Sequence, residues 1–155
     1  MMEMLAKLAA VVDVPPGTPE TQVATIFFDP RCPYCHAAFN SLHGQIAARW
    51  VPVVVLGDAE GGNRMAAGIL SAQDPVAALK ATFETKAARP GEVSAEVAAK
   101  LAENKGAFAS IFAAQQALRP GVPTLFVPRP DGRVAVMVGY NPGDDAKVRS
   151  VMAGS

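Results

Sequence analysis

Residues 27–36 read Phe27-Phe28-Asp29-Pro30-Arg31-Cys32-Pro33-Tyr34-Cys35-His36, and they contain both cysteines of the 155-residue chain. Cys32 and Cys35 stand three positions apart. A disulfide between residues this close together closes almost no loop, so it would add little stability through chain entropy. The pair is therefore interpreted as a site of chemistry rather than a structural staple.

The segments on either side of the cysteines predict a strand followed by a helix. Val23–Phe28 is a dense apolar run rich in β-branched and aromatic residues, which is typical of a strand buried on both faces. Pro33 suits the first turn of a helix, where no backbone donor is needed. The apolar positions that follow recur at steps of three and four and mark one helix face: Cys35, Phe39, Leu42, Ile46 and Trp50. With a second buried strand predicted over Val51–Leu56, this order indicates a right-handed parallel βαβ unit.

A helical block is predicted next, over about residues 63–118. Asp74 before Pro75 is a cap followed by proline at the first helical position, and Ser94 caps a further helix. Gly106 is a candidate break in that last helix. The block is interpreted as a helical insertion between the second and third predicted strands.

The C-terminal part returns to strands and ends in a helix. Strands are predicted over Thr124–Val127 and Arg133–Val138, because the Pro-Arg-Pro-Asp-Gly turn between them favours a hairpin. Asn141-Pro142, with Asp144 at the third helical position, is expected to open a final short helix. The predicted order is thus βαβ, helices, then ββα.

The N-terminal segment is predicted to be a lead-in helix and linker over residues 1–17, ahead of one domain over residues 18–155. Its apolar residues have helical spacing until Pro15-Pro16-Gly17 stops the pattern: Leu5, Leu8, Val11 and Val12. Met1–Val14 has no basic n-region, long apolar h-region or small-residue cleavage site, so no signal peptide is expected there.

Charge and hydropathy exclude two classes of partner. Lys and Arg number 14 and Asp and Glu number 14, so there is no net positive field to gather nucleic acid. No uninterrupted apolar run approaches the roughly 18 to 20 residues that a membrane-spanning helix needs. Neither nucleic-acid binding nor membrane insertion is predicted.

The position of the dithiol predicts different roles for the two sulfurs. At a helix N-terminus, the Cys32 sulfur lies over free backbone N–H groups and the positive end of the helix dipole, which favours the thiolate. Because only the thiolate attacks a disulfide, Cys32 is the proposed nucleophile. Cys35, one turn further along the apolar face, is expected to be shielded and protonated and to act as the resolving thiol.

A zinc site and a haem attachment site are two other interpretations of the same residues. A zinc site needs two ligands besides the cysteines, and the only histidines are His36 and His43. His36 directly follows Cys35, so on a helix it points away from both sulfurs. The run Cys32-Pro33-Tyr34-Cys35-His36 also matches the c-type haem attachment pattern. Haem attachment would use both thiols and need a large apolar pocket, whereas this run lies at a predicted strand-to-helix junction with a proline between the cysteines. No metal is predicted. A thiol carrier of a soft ion such as Cu(I) stays as an alternative.

A second motif, Gly121-Val122-Pro123-Thr124-Leu125-Phe126-Val127, places a proline at the start of an apolar strand. Proline cannot donate to a sheet, so it belongs at such a start, and a cis bond is conceivable there. Spacing alone favours an ordinary trans proline. A cis bond beside the dithiol would leave the Val122 backbone free to pair with an extended substrate.

With these motifs the chain resembles the periplasmic thiol–disulfide interchange proteins DsbC and DsbG, of the thioredoxin superfamily. The resemblance rests on residues 27–36, the helical insertion, and residues 121–124 before a hairpin and a final helix. It implies an α/β thioredoxin fold, with a mixed central sheet flanked by helices, and a cis-proline at Pro123 facing the dithiol. It also implies an enzyme without metal or organic cofactor that acts on cysteine-containing protein substrates, is reset by a redox partner protein, and resides in the periplasm.

The substrate-facing residues are predicted to be Pro33, Tyr34, Val122 and Pro123. Isomerases of this family usually place threonine before the cis-proline, whereas Val122 is more similar to the DsbA oxidases, so isomerase and oxidase both stay open. Thioredoxins carry a buried acid six positions before the first cysteine, and Ile26 stands there in this chain. A thioredoxin-fold adaptor or chaperone that binds unfolded chains without turnover is the main alternative function.

Overall fold

The computed structural model describes residues 2–86 and 92–154, and within them one five-stranded mixed sheet carries the fold. The strands, in the order β1-β3-β2-β4-β5, are β1 Val11–Asp13, β2 Ala24–Phe28, β3 Ala48–Pro52, β4 Thr124–Pro128 and β5 Val134–Val138. Strands β2 and β3 are parallel, and every other neighbouring pair is antiparallel. The helices are α1 Met2–Leu5, α2 Pro33–Leu42, α3 Ala59–Leu70, α4 Pro75–Thr85, α5 Ala95–Ala114 and α6 Asp144–Ala153, with a 3-10 turn at Glu20–Gln22.

The central strand β2 is buried on both faces, as its sequence predicted. Because successive side chains of a strand point to opposite faces, its residues serve two cores. Ile26 and Phe28 pack with the dithiol helix α2, while Phe27 packs with Phe108 and other residues of α5. The sheet is thus covered by helices on both sides, and β2 delivers the chain from the middle of the core into the cysteines.

The predicted helix after the cysteines was too long at its C-terminal end. Helix α2 ends at Leu42, and the chain turns through Gly44, whose φ of 80° lies in the left-handed region that glycine adopts at low cost. Trp50 belongs to β3, where it is fully buried, with its ring 5.2 Å from that of Phe39. Trp50 fitted the apolar spacing of the helix, but it reaches the same core from a strand.

Strand β3 begins three residues earlier and ends four residues earlier than the predicted Val51–Leu56. Its pairing with β2 runs from Ala24 opposite Ala48 to Phe28 opposite Pro52. The last hydrogen bond between the two segments joins Val53 N to the Phe28 carbonyl oxygen at 2.8 Å, and β2 ends at Phe28. Val55 and Leu56 therefore belong to the loop that joins β3 to α3.

The predicted N-terminal helix is wrong beyond Leu5. Val11–Asp13 forms the edge strand β1, antiparallel to β3, with Val11 opposite Trp50. Val11 is fully buried and Val12 is 53% exposed, an alternation of neighbours that fits a strand. The apolar spacing was compatible with a helix, but the free edge of β3 offered pairing that the sequence pattern did not reveal.

The helical insertion is confirmed as three helices, α3, α4 and α5. The side chain of Asp74 accepts a hydrogen bond from Ala77 N at 3.1 Å, and that of Ser94 accepts one from Val97 N at 3.1 Å, so both predicted caps are confirmed. Helix α5 passes through Gly106 without the candidate break. Because β1 precedes the predicted strands, the insertion lies between β3 and β4. Residues 87–91 of the predicted helical block lie outside the described residues.

The C-terminal hairpin is confirmed, with Thr124 opposite Val138. The final helix begins later than predicted, at Asp144 itself, after Gly143 with a φ of 94°. Asp144 Oδ2 turns back and accepts a hydrogen bond from Asn141 N at 2.8 Å, which closes the turn before the helix. Among the described residues, no helix combines the length and apolar character needed to cross a membrane.

Candidate active site

Cys32 is the N-cap residue of α2. Its backbone is extended, with φ −86° and ψ 120°, and Pro33 follows in the first helical turn. The Cys32 sulfur takes the place of a capping oxygen and accepts a hydrogen bond from Cys35 N at 3.3 Å. The residue is 4% exposed, and both cysteines are free thiols. The first sulfur therefore lies at the helix start and accepts from a backbone N–H group that has no carbonyl partner within the helix.

The pKa of Cys32 is lowered to about 7 from an ordinary value of 9.0. The largest cause is the hydrogen bond from the Cys35 side chain, and backbone N–H groups of Cys35 and Tyr34 also lower the pKa. Desolvation and the negative charge of Asp29 act in the opposite direction. Near neutral pH, Cys32 is therefore divided between thiol and thiolate.

Cys35 has the opposite electrostatic character. It is fully buried, one helical turn further in, and burial raises the pKa of its thiol far above the usual range. The hydrogen bond to Cys32 and the charge of that neighbour raise the pKa further. The pKa values of the two thiols thus shift in opposite directions, although both cysteines are buried.

The loop before β4 brings a third component to the dithiol. The Val122–Pro123 peptide bond is cis, so the expectation from spacing alone was wrong and the one from the resemblance is confirmed. The Cys32 thiol donates to the Val122 carbonyl oxygen at 3.6 Å, although the two residues are 90 positions apart in the chain. A backbone carbonyl is therefore aligned with the sulfur from the opposite side of the cleft.

An exposed apolar surface surrounds this edge of the sheet. Tyr34 is 60% exposed, and Pro33 beside it is exposed as well. Val55 and Leu56 follow β3, which is parallel to β2, and Val138 ends β5 opposite the start of β4. All three are exposed. The four predicted substrate-facing residues therefore lie at the dithiol, whereas these further apolar residues were not foreseen, because strand pairing alone brings them there.

Comparison with known proteins rests on structure alone. No family model matches the chain, and no curated protein matches its sequence. A disulfide interchange protein from Neisseria gonorrhoeae is similar in structure, with a TM-score of 0.63 at 19% identity over 93% of this chain and 96% of that one. Helicobacter pylori DsbG gives 0.58 at 19% identity, over 80% and 59% of the two chains. Pseudomonas aeruginosa DsbA2 gives 0.61 at 14% identity, over 87% and 91%.

The chain has a thioredoxin fold. The sheet order, the dithiol at the start of α2 and these structural matches agree on it. The thioredoxin-fold proteins named DsbG and DsbA2 match with similar TM-scores, so the comparison does not separate those two types.

The two histidines of this thioredoxin fold each contact a residue other than the cysteines. The His36 ring stacks on Phe83, with centroids 5.1 Å apart, and His43 Nδ1 lies 2.7 Å from Asp13 Oδ2. In residues 2–86 and 92–154, no three His, Cys, Asp or Glu side chains group closely enough to hold a metal ion.

Two charged residues beside the dithiol were given no role by sequence reasoning. Asp29 is fully buried, and its carboxylate oxygens accept backbone hydrogen bonds from Arg31, Val55 and Leu56, each at 2.9 Å. Arg31 extends to Asp58, with Nη1 2.8 Å from Asp58 Oδ1. The signal was present in the sequence, because an aspartate directly after a predicted buried strand has to be satisfied by hydrogen bonds if the fold buries it as well.

Proposed function

We propose that this chain is a thiol–disulfide oxidoreductase that exchanges disulfides with cysteine-containing protein substrates through Cys32 and Cys35. The observation that carries the proposal is the asymmetry of the two sulfurs. Cys32 has a pKa of about 7 and caps a helix, while Cys35 is fully buried with a raised pKa. A structural disulfide or an inert buried pair has no need of such a difference.

The proposed reaction proceeds in two exchange steps. The Cys32 thiolate attacks one sulfur of a substrate disulfide, a mixed disulfide forms, and the other substrate sulfur leaves as a thiolate. Cys35 then loses its proton and attacks the Cys32 sulfur, which releases the second substrate thiolate and leaves the Cys32–Cys35 disulfide. Two electrons pass from the protein to the substrate. Oxidation of a substrate dithiol is the same sequence in reverse.

The backbone beside Cys32 supports recognition of an extended peptide. The Val122 carbonyl oxygen lies 3.6 Å from the Cys32 sulfur, and Tyr34 and Pro33 present exposed apolar surface on the other side. A substrate segment that pairs with Val122 as an added strand would bring its own cysteine to this sulfur. Pro33, Tyr34, Val122 and Pro123 are therefore the proposed substrate-binding residues.

The isomerase or oxidase type, the partners and the location are also proposals. Val122 stands where isomerases of the resembled family carry threonine, which favours the oxidase type. A separate redox protein has to reset the dithiol after each net transfer of electrons. A periplasmic location suits this chemistry, because disulfides persist in oxidising compartments.

The order of the two steps is tested with the matched variants Cys35→Ala and Cys32→Ala. Each retains one cysteine, and each is incubated with the same peptide that carries a disulfide. We expect Cys35→Ala to accumulate a mixed disulfide through Cys32, visible by mass and lost on reduction, and Cys32→Ala to form less than about a tenth as much, because its remaining thiol is mostly protonated. Equal adduct formation by both variants contradicts the assignment.

Turnover separates the proposed enzyme from the adaptor and metal-carrier alternatives. Insulin reduction, oxidation of reduced ribonuclease and rescue of scrambled ribonuclease are measured with the same preparation. An enzyme accelerates at least one of them and loses the rate when Cys32 is replaced. An adaptor suppresses substrate aggregation equally with or without Cys32, and a metal carrier binds Cu(I) through both sulfurs with no exchange rate.

A further inference from the structure

We propose that Asp29 and Arg31 are positioning residues that set the redox poise of the Cys32–Cys35 pair from within the fold. This inference rests on the disulfide exchange proposed above. Both residues lie in the turn between the end of β2 and the nucleophile, and neither is exposed enough to serve as a general contact surface.

The Asp29 carboxylate is bound on all sides by the backbone. Oδ1 accepts from Arg31 N, and Oδ2 accepts from Val55 N and Leu56 N. Three N–H donors suit a carboxylate, which only accepts. These hydrogen bonds hold the loop after β3 against the turn that precedes Cys32.

Arg31 fastens the same loop from its other side. Its guanidinium donates to the Leu56 carbonyl oxygen, to the Asp58 carbonyl oxygen at 2.7 Å and to Asp58 Oδ1 at 2.8 Å. Two glycines make room for it, since a Cβ on Gly57 would lie 3.0 Å from Nη1 and one on Gly62 would lie 2.5 Å from Nη2. The guanidinium thus occupies a cradle built into the loop and the start of α3.

The pair places opposite charges next to the dithiol at fixed positions. Arg31 Nε lies 3.9 Å from Asp29 Oδ1, and the Asp29 side chain has no exposure to solvent. A buried charge is weakly screened, so it acts on its neighbours more strongly than a surface charge does. The hydrogen bond from Cys35 holds the pKa of Cys32 low, whereas the charge of Asp29 raises the pKa of both thiols. Asp29 therefore opposes the thiolate, and Arg31 partly offsets Asp29.

Reduction potential follows from this balance. In the glutathione equilibrium, one Cys32–Cys35 disulfide and two glutathione thiols give the protein dithiol and one glutathione disulfide. A more stable Cys32 thiolate favours the dithiol side, so the disulfide becomes a stronger oxidant. Asp29 therefore makes the Cys32–Cys35 disulfide a weaker oxidant, and Arg31 makes it a stronger one.

The test compares Asp29→Asn with Arg31→Met. Asp29→Asn removes the charge at nearly constant size, so the pH midpoint of Cys32 alkylation should fall by about half a unit. The glutathione exchange constant, measured at about pH 8 where Cys32 is mostly ionised, should shift by roughly threefold toward the dithiol. Arg31→Met leaves Asp29 less compensated, so both quantities should move in the opposite direction. Asp131→Asn, an equal charge change in the distant β4–β5 turn, should move neither.

A merely structural role predicts a different outcome. Loosening of the loop by either substitution would shift both variants in the same direction, or would lower unfolding free energy with no change of midpoint, and either result overturns the proposal. If Asp29→Asn does not fold, Arg31→Met alone decides, because only a rise of its midpoint supports the proposal. Alkylation needs no protein substrate, so this result stands even if the exchange assays show no turnover.

Discussion

At the scale of single residues, the two sulfurs have different surroundings. The Cys35 side chain and Cys35 N both donate hydrogen bonds to the Cys32 sulfur, which stabilises negative charge on that sulfur. The Cys35 sulfur, fully buried, has lost the water that would stabilise its own charge. Two identical side chains, three positions apart, are thereby given different chemistry by the start of one helix.

We expect iodoacetamide to label Cys32 first, with a rate that rises with pH around a midpoint of about 7. Below that midpoint the thiol form dominates and the rate falls, because only the thiolate is alkylated. Mass spectrometry of the digested protein locates the label. Denatured protein is the control, since both cysteines should then react with similar midpoints near the ordinary value. Label found mainly on Cys35 in the folded protein would show that the assignment is reversed.

At the scale of elements, the dithiol helix is held by the sheet edge beside it. Strand β1 pairs with β3, and Asp13 of β1 bonds His43 at the C-terminal end of α2. The same carboxylate accepts from Trp50 Nε1 at 3.4 Å. A three-residue edge strand therefore joins the core strand β3 to the end of the dithiol helix.

The contribution of β1 is measured with a matched pair of substitutions. Val11→Ala removes two buried methyl groups and should lower the free energy of unfolding in urea by about 2 kcal/mol. Val12→Ala, on the 53% exposed neighbour, should change it by less than about 0.5 kcal/mol. A helix with both valines on its apolar face would be destabilised by both substitutions, so equal effects contradict the strand.

At the scale of the whole molecule, the two thiol pKa values make stability depend on pH and on redox state. Between pH 7 and 9 the folded protein holds Cys32 as thiolate, whereas the unfolded chain, with its ordinary pKa of 9.0, still binds the proton. Stability of the reduced protein therefore rises with pH in this window. Above it the unfolded chain ionises Cys35 while the folded protein keeps it protonated, so stability falls.

We expect the difference in unfolding free energy between the reduced and the disulfide-bonded protein to pass through a maximum near pH 9. The rise from neutral pH to that maximum should be on the order of 2 kcal/mol, because the pKa of Cys32 is lower in the folded protein than in the unfolded chain. Urea unfolding of both forms over a pH series measures it, and other titrating groups cancel in the difference. A flat difference across this range contradicts the assigned pKa directions.

Local patterns in the sequence determined the βαβ unit, the dithiol at a helix start, the caps at Asp74 and Ser94, and the C-terminal hairpin. Each of these depends on residues within one or two turns of chain, where spacing, capping chemistry and turn residues act directly. The hydrogen bonds from Cys35 that lower the pKa of Cys32 are local in the same sense, whereas the burial that raises the pKa of Cys35 is supplied by the packed core.

Tertiary structure alone decided which distant segments meet at the site. The pairing of β1 with β3, the place of Trp50 on a strand, the Val122 carbonyl beside Cys32, and the loop bound by Asp29 all join residues far apart in the chain. Apolar spacing shows that a side chain is buried but not what buries it, because helix and strand can satisfy the same few positions. A buried carboxylate likewise requires partners, and only the fold selects which backbone N–H groups they are.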